Sequence, residues 1–467
     1  MCIRDSIYTV SAGICGSSSG VLFNIYAVAA ITVSVISENL KCKMAYKNIS
    51  RFSKMTSIDT IHPVEDISDR EVLGKGVTKK GKEKLLYCAR ANTIDSLSSD
   101  MGARSFDGKF YSIAYIAILM ASVFCGVITY LRGTELSAFF TSIVSCACLC
   151  GPNICEFSRT ILFYNKNKQF ATEGAAVLNF DGVEKIGKSN ALIMDASDLF
   201  TIEVQGFRKT AVSRVSRNDA AVLTVAALKG AKSLIYSAFD DFEKSLSSLP
   251  SAEFSQTVPG AGYVSKVLGR QVLIGNRNLL TKYKIVPPSQ AEEKKYGKGR
   301  MVFYVAVDGV ISATFTVDYS VTEATKKASA SFNKTGMLLL LTSREPMITE
   351  KFVSAKLNID TSAIKILGKD ASSLMDEYRL NRSMRQGSGL VCSSKLKNAF
   401  LLASLSHRLF DSDRMLLGLN VALQLVFFLL LLSAVFINVS SLMNPFAILL
   451  IHAFCGAVCT GLAVAKK

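Results

Sequence analysis

The chain of 467 residues contains no tryptophan and three histidines. So few imidazoles argue against a histidine-rich metal centre. It also lacks zinc-finger spacing and any stripe of basic residues interleaved with aromatics. No nucleic acid is therefore expected as the partner of its formal charge of +17. Charged residues make up 19% of the chain and apolar ones 49%, a balance that suits a membrane protein with a substantial soluble part. The basic surplus then belongs to cytoplasmic loops beside an anionic bilayer surface. Of twelve cysteines, Cys125, Cys146, Cys148, Cys150, Cys155, Cys455 and Cys459 lie in or beside apolar stretches, and the rest are scattered. That distribution argues against a disulfide framework, and reduced thiols are expected.

Hydropathy divides the chain. Residues 7–37 are mostly apolar and small, and Val21–Ile36 carries no charge. A transmembrane segment fits, with a cleaved signal peptide as the plain alternative. Ahead of it, Met1–Ser6 resembles the translation of a sequencing adapter, so the native start is expected to be missing. Tyr111–Leu131 and residues 136–155 form an apolar antiparallel pair, and Met415–Ile437 with Asn444–Ala465 forms another. The connecting tips 132–135 and 438–443 carry one Arg and no Lys, whereas Lys and Arg concentrate in 38–110, in 156–414 and at the C-terminus. The positive-inside rule places those segments in the cytoplasm of a multi-pass protein of the cell membrane. Residues 38–110, with 14 Lys/Arg against 10 Asp/Glu, show little apolar periodicity.

The soluble part alternates strand and helix patterns. Tyr263–Ile274 suggests a hairpin around Gly269-Arg270. Met301–Val307 and Val310–Val317 flank Asp308-Gly309, a favoured tight turn. Met337–Leu341 and Ile364–Leu367 read as buried strands, with helices over Thr322–Asn333 and Thr349–Leu357. Such alternation implies a doubly wound parallel sheet.

The rest is organised around Ala191-Leu-Ile-Met-Asp195-Ala-Ser-Asp-Leu-Phe-Thr201. Four apolar residues end in an acid, as in a buried strand delivering a carboxylate at the edge where open α/β sheets keep their sites. Such a carboxylate can be a nucleophile towards a phosphoryl group; otherwise it begins the turn after a strand. With Gly182-Val-Glu-Lys-Ile-Gly-Lys188 ahead of it, the stretch resembles the phosphorylation segment of P-type ATPases, nearest to the heavy-metal-transporting branch. The family motif is D-K-T-G-T-L-T. Asp195, Leu199 and Thr201 match it and Ser197 is conservative, while Ala196, Asp198 and Phe200 depart from it.

Further motifs follow in the family's order. Pro259-Gly-Ala-Gly-Tyr-Val264 and Val272-Leu-Ile-Gly-Asn-Arg277 resemble that branch's glycine-containing nucleotide pocket, with Gly260, Gly262, Gly275 and Asn276 as the residues carried over. Glycines permit close backbone approach to a ligand, and equally an ordinary turn. Leu340-Leu-Thr342-Ser-Arg344 stands where T-G-D is expected: Thr342 matches and Arg344 replaces the acid. Ser145-Cys146-Ala-Cys148-Leu-Cys150-Gly-Pro152 resembles the membrane C-P-C helix, with Leu149 in place of the central proline. Thiols at Cys148, Cys150, Cys455 and Cys459 suit a soft cation, and equally a buried helix face. Asn420 and His452 resemble the branch's membrane residues. No T-G-E, S-E-H-P or G-D-G-x-N-D-x-P motif occurs.

The resemblance, over residues 139–467, implies a multi-pass α-helical membrane protein with a cytoplasmic α/β haloacid-dehalogenase-like (Rossmann-like) domain, 156–201 and 318–414. An α+β nucleotide-binding-like domain, 202–317, is inserted in it. Residues 38–110 stand where the actuator domain would be. The resemblance implies Asp195 as phospho-acceptor with Ser197, Thr201 and Thr342 beside it, ATP and Mg²⁺ as cofactors, and Cu⁺ or Zn²⁺ as cargo. Two function classes stay open: a cation pump working through an Asp195 phosphoenzyme, and a catalytically degenerate sensor or scaffold on the same frame. Protein partners are not indicated.

Overall fold

The computed structural model describes residues 17–55, 59–63, 85–90, 106–132, 136–150, 153–211, 213–380, 389–392, 399–437 and 445–465. The adapter-like start, the Gly151-Pro152 step and Asn444 lie outside the described residues.

Among the described residues, six helices form the bundle and its extensions: α1 (Ser17–Phe52), α2 (Phe106–Leu131), α3 (Leu136–Leu149), α4 (Asn153–Thr172), α5 (Ala399–Ile437) and α6 (Pro445–Ala465). Three helical stretches among the described residues are long and apolar enough to cross a bilayer: Ile113–Leu131, Ala399–Ile437 and Phe446–Ala465. α1 passes without a break from the apolar run into the charged stretch after Glu38, well beyond the segment end expected at 37. α3 is shorter than the 136–155 span read from hydropathy. Its 14 residues rise only about 21 Å at 1.5 Å each, and Cys150 already sits in a turn. The reason is local: Gly151-Pro152 follows, and neither residue continues a helix well. α4 then starts at Asn153 and leaves the membrane bundle. Arg159 on α4 and Asp413 on α5 join in a two-pronged ion pair, Nε–Oδ1 2.5 Å and Nη2–Oδ2 2.7 Å, at the boundary between bundle and soluble part.

Two sheets make the soluble part. In the first, β4 (Ala191–Asp195) lies between β11 (Leu338–Thr342) and β2 (Leu85–Arg90), parallel to both, and β12 (Ile364–Leu367) continues the parallel edge. Ala191 to Met194 are fully buried, which is why this strand is apolar on both faces rather than alternating. β1 (Asp59–Pro63), β13 (Leu390–Cys392) and β3 (Ala175–Val177) complete the sheet by antiparallel pairing. The order across it is β12-β11-β4-β2-β1-β13-β3. Two of its strands, β1 and β2, come from the stretch without apolar periodicity.

The second sheet is antiparallel. It comprises β5 (Thr201–Lys209), β6 (Ala252–Val258), β7 (Gly262–Val267), β8 (Arg270–Gly275), β9 (Met301–Val307) and β10 (Val310–Ser320), in the order β5-β10-β9-β8-β7-β6. Both expected hairpins are present. Asp308 and Gly309 have φ of 49° and 83°, the left-handed pair that matches a tight turn to the twist of its strands. The chain leaves the first sheet after Phe200 and returns before the helix Glu323–Asn333, so the core of the second sheet is continuous with that of the parallel sheet.

Candidate functional site

The strand β4 carries Asp195 to its C-terminal end, and β11 places Thr342 directly beside it in register. The hydroxyl of buried Thr342 donates to Asp195 Oδ2 at 2.9 Å. The other carboxylate oxygen, Oδ1, accepts from the backbone N–H of Ser197 at 2.8 Å. This is a helix cap: Asp195 has extended backbone, and the helical turn Ala196–Leu199 starts on it. Nucleophile and cap demand different things of one carboxylate, and here both oxygens are engaged by the protein.

The remaining letters of the stretch have structural employment. Ser197 is exposed and contributes its backbone N–H. Phe200 is buried and packs on Phe352, ring centroids 5.8 Å apart, while Phe352 meets Tyr319 edge-on. Thr201 is exposed; it begins β5 opposite Ser320, on the way into the second sheet. Of the residues singled out, the structure thus joins Asp195 to Thr342 and the Ser197 backbone, and leads Thr201 away. Arg344 stands half-buried two residues beyond Thr342.

Magnesium is a hard ion that requires several oxygen ligands. Among the described residues no group of three or more His, Cys, Asp or Glu side chains is placed so that it could hold a metal ion. With a guanidinium on the adjacent loop and no such cluster beside it, the described residues around Asp195 do not fit Mg²⁺.

Gly260, Gly262, Gly275 and Asn276 converge at one end of the β7–β8 pair. Gly262 and Gly275 face each other in register. A Cβ on Gly262 would lie 2.2 Å from the Ile274 carbonyl, and one on Gly275 2.2 Å from the Ala261 carbonyl. Those glycines are required by the approach of two backbones. Asn276 caps the helix Arg277–Lys282 with its Oδ1 and donates from Nδ2 to the Gly260 carbonyl at 2.9 Å. The Gly260 N–H is bonded to the carbonyl of Pro346 at 2.6 Å. The Gly260 N–H of this turn is thus already bonded within the chain, while the space a Cβ on Gly260 would enter is open.

Sequence reasoning missed Glu345. It is 3% exposed and accepts from Ser233 Oγ at 2.8 Å, the Leu234 N–H at 2.5 Å and the Tyr319 hydroxyl at 2.8 Å. Tyr263 donates in turn to Ser233 at 2.9 Å. Burial first, and then the charge of Glu345, push the phenols of Tyr263 and Tyr319 well above the ordinary tyrosine range. Both hydroxyls therefore remain donors. A lone acid followed by the apolar Pro346-Met347-Ile348 was the one signal available.

In the bundle, Cys148 and Cys150 are both buried near the end of α3, but two residues separate them by about 200° around a helix. Cys150 keeps company with Cys146, whose thiol is in hydrogen-bonding reach of Cys125 on α2 as well. The Cys148 carbonyl accepts from Tyr26 at 2.9 Å, and Tyr26 lies 3.0 Å from His452 Nδ1, whose Nε2 is 2.9 Å from the Leu149 carbonyl. His452 is a packed polar residue tying α6 to the end of α3. Cys455 is partly buried and Cys459 buried, one turn apart on α6.

No family profile matches the chain. It is 24% identical over 280 residues to a copper-exporting P-type ATPase of Legionella pneumophila, a match covering 56% of this chain and 36% of that protein. It is 23% identical over 247 residues to a silver-exporting P-type ATPase of Salmonella typhimurium, covering 49% of this chain and 28% of the relative. The match thus spans about a third of the length of these curated relatives. Its fold is that of a zinc-transporting PIB-type ATPase known from a crystal structure: TM-score 0.50 at 13% identity, over 99% of this chain and 90% of that one. The chain, a membrane protein with soluble α/β domains, is a relative of the heavy-metal cation-transporting P-type ATPases.

Proposed function

We propose that this is an ATPase-like membrane protein of the heavy-metal cation-transporting lineage whose phosphorylation centre is degenerate. The observation that carries the reading is the state of Asp195: one oxygen caps a helical turn, the other is held by Thr342, and Arg344 stands where the lineage has an acid. Phosphoryl transfer to a carboxylate needs an oxygen free to attack in line and cations that neutralise the transferring group. On this reading Asp195, each of whose oxygens accepts a hydrogen bond and which has Arg344 rather than an acid on the following loop, serves as a structural acid in the nucleophile's place. The division into a phosphorylation-like and an inserted nucleotide-binding-like domain is part of the proposal, supported by the two sheets; the cuts expected at 201/202 and 317/318 fall inside β5 and β10, and the sheets favour boundaries after Phe200 and after Ser320.

Orientation and cargo belong to it too. The scarcity of Lys and Arg in the apolar tips supports soluble domains on the cytoplasmic side of a cell membrane. The buried thiols of α3 and α6 support a soft cation, Cu⁺ or Zn²⁺, as the ancestral cargo.

The test is acid-stable phosphoenzyme trapping with radiolabelled ATP on membranes, wild type against Asp195→Asn, with and without Cu⁺ and Zn²⁺. No label under any condition, from protein shown to be folded, is the expected result. Label in the wild type that disappears in the variant would make Asp195 a working phospho-acceptor and the protein a pump.

A further inference from the structure

The half-buried turn carrying Gly260 and Asn276 is met on one side by a segment of the same chain. Ser343–Ile348 leaves the end of β11 and runs across to the second sheet. Pro346 accepts from the Gly260 N–H at 2.6 Å, and Met347 Sδ lies 3.5 Å from Asn276 Nδ2. Glu345 through Ile348 are all buried. The Gly260 N–H and one hydrogen of the Asn276 amide thus face an internal occupant, while the amide also donates to the Gly260 carbonyl within the turn.

The occupant is anchored. A carboxylate taken out of water is costly unless it is fully hydrogen-bonded, and Glu345 receives three hydrogen bonds from Ser233, Leu234 and Tyr319 inside the second sheet's core. Lifting Pro346 and Met347 off the turn strains or breaks that anchor, because Glu345 is the preceding residue. The same segment begins at Thr342, which holds Asp195 Oδ2. Movement of the segment thus reaches both the glycine turn and the acid-ended strand.

We propose that Glu345-Pro346-Met347 is a built-in plug that closes the glycine turn of the second sheet to an adenine nucleotide. The proposal rests on reading Gly260, Gly262, Gly275 and Asn276 as the nucleotide-facing residues, and it adds their regulation. The plug leaves and the nucleotide enters in mutual exclusion. The apparent affinity is then the intrinsic one multiplied by the small fraction of molecules with the plug out.

The experiment uses the full chain in lipid nanodiscs and a trinitrophenyl-ATP fluorescence titration of wild type, Glu345→Ala and Met347→Ala. Hydrogen exchange over residues 258–262 is followed in the same samples without nucleotide. Glu345→Ala is expected to bind at least about tenfold more tightly than wild type, as removal of an occupant present nine-tenths of the time requires. Exchange at Gly260 rises in parallel. Met347→Ala, which leaves the buried anchor intact, gives a smaller gain of the same sign and carries the test should Glu345→Ala fail to fold. Equal affinity in wild type and variants overturns the plug, as does unchanged exchange at Gly260. Faster exchange with no binding by any form also overturns it, since an opened turn that still refuses nucleotide is no nucleotide cleft. Phosphoenzyme trapping scores Asp195 separately, so a failure there is distinguishable from a failure here.

Discussion

Each carboxylate oxygen of Asp195 accepts a hydrogen bond among the described residues, and the two bonds make different demands on the residue. The bond to the Ser197 N–H is a cap, and Asn caps helices about as well as Asp. Asp195→Asn is therefore expected to leave the thermal midpoint nearly unchanged. Asp195→Ala is expected to cost about 1 kcal/mol, the usual loss for a capping side chain, seen as a lower midpoint in a thermal-shift assay. An Asn variant as damaged as the Ala variant would assign the acid a role that needs its charge. The buried phenols give a second prediction, with a sign. Tyr263 and Tyr319 titrate above their unfolded range in the folded protein. Their protonated contacts are fully present below about pH 10, the unfolded tyrosine value. Above it the unfolded chain loses protons that the folded chain keeps, and stability falls as pH rises. Denaturation between about pH 8 and 11, spanning that value, should show the fall, and Tyr319→Phe should make it shallower. Of these residues the sequence displayed only the place of Asp195. Four apolar residues before it announce a buried strand, and the fold delivers the carboxylate to the sheet edge beside Thr342. What the carboxylate does there depends on partners that no pattern displays.

Among the strands and helices, the two hairpins, the parallel strands β4, β11 and β12, and the helices after them could be read because each carries its own period and its own turn chemistry. β1 and β2 could not. Leu85-Leu-Tyr-Cys-Ala-Arg90 is a six-residue strand paired on both sides, and it sits in a stretch rich in Lys, Ser and Thr with no alternation to mark it. A strand so short becomes a strand only when the rest of the sheet supplies its neighbours, which is tertiary information. The end of α3 at Leu149 likewise is not marked by hydropathy, which runs on beyond it. The pairing of β2 is testable through the backbone alone. Tyr87 lies opposite Ile193 of β4 and His62 of β1, and a proline inside a central strand removes a ladder donor. Tyr87→Pro is therefore expected to lower the thermal midpoint of the soluble part, at roughly 2–4 °C for each kcal/mol lost. It should also speed proteolysis. An unchanged midpoint would mean that β4 keeps its place without β2.

Across the full chain, a helical bundle and two sheets must hold one arrangement. α5 spans both: its first turns pack Phe400 against Phe332 under the parallel sheet, and its second half is the apolar stretch from Met415. Where it changes character, Asp413 meets Arg159 of α4, with side chains 15% and 3% exposed. Arg159 also lies over the ring of Phe163 on its own helix. Such a pair is a poor source of net stability, because both ions give up hydration, but leaving either one alone is worse. Arg159→Met or Asp413→Leu alone is expected to destabilise by about 3–5 kcal/mol, the cost of an uncompensated buried charge. The double variant should recover most of that loss, since it removes both charges and keeps apolar volume. A double-mutant cycle on the full chain in nanodiscs measures the difference. Strictly additive losses would mean that the two side chains act independently and that the junction is held by packing. Recovery in the double variant together with altered hydrogen exchange across residues 153–172 would assign the pair to fixing geometry, so that motion between soluble part and bundle is limited by one guanidinium and one carboxylate.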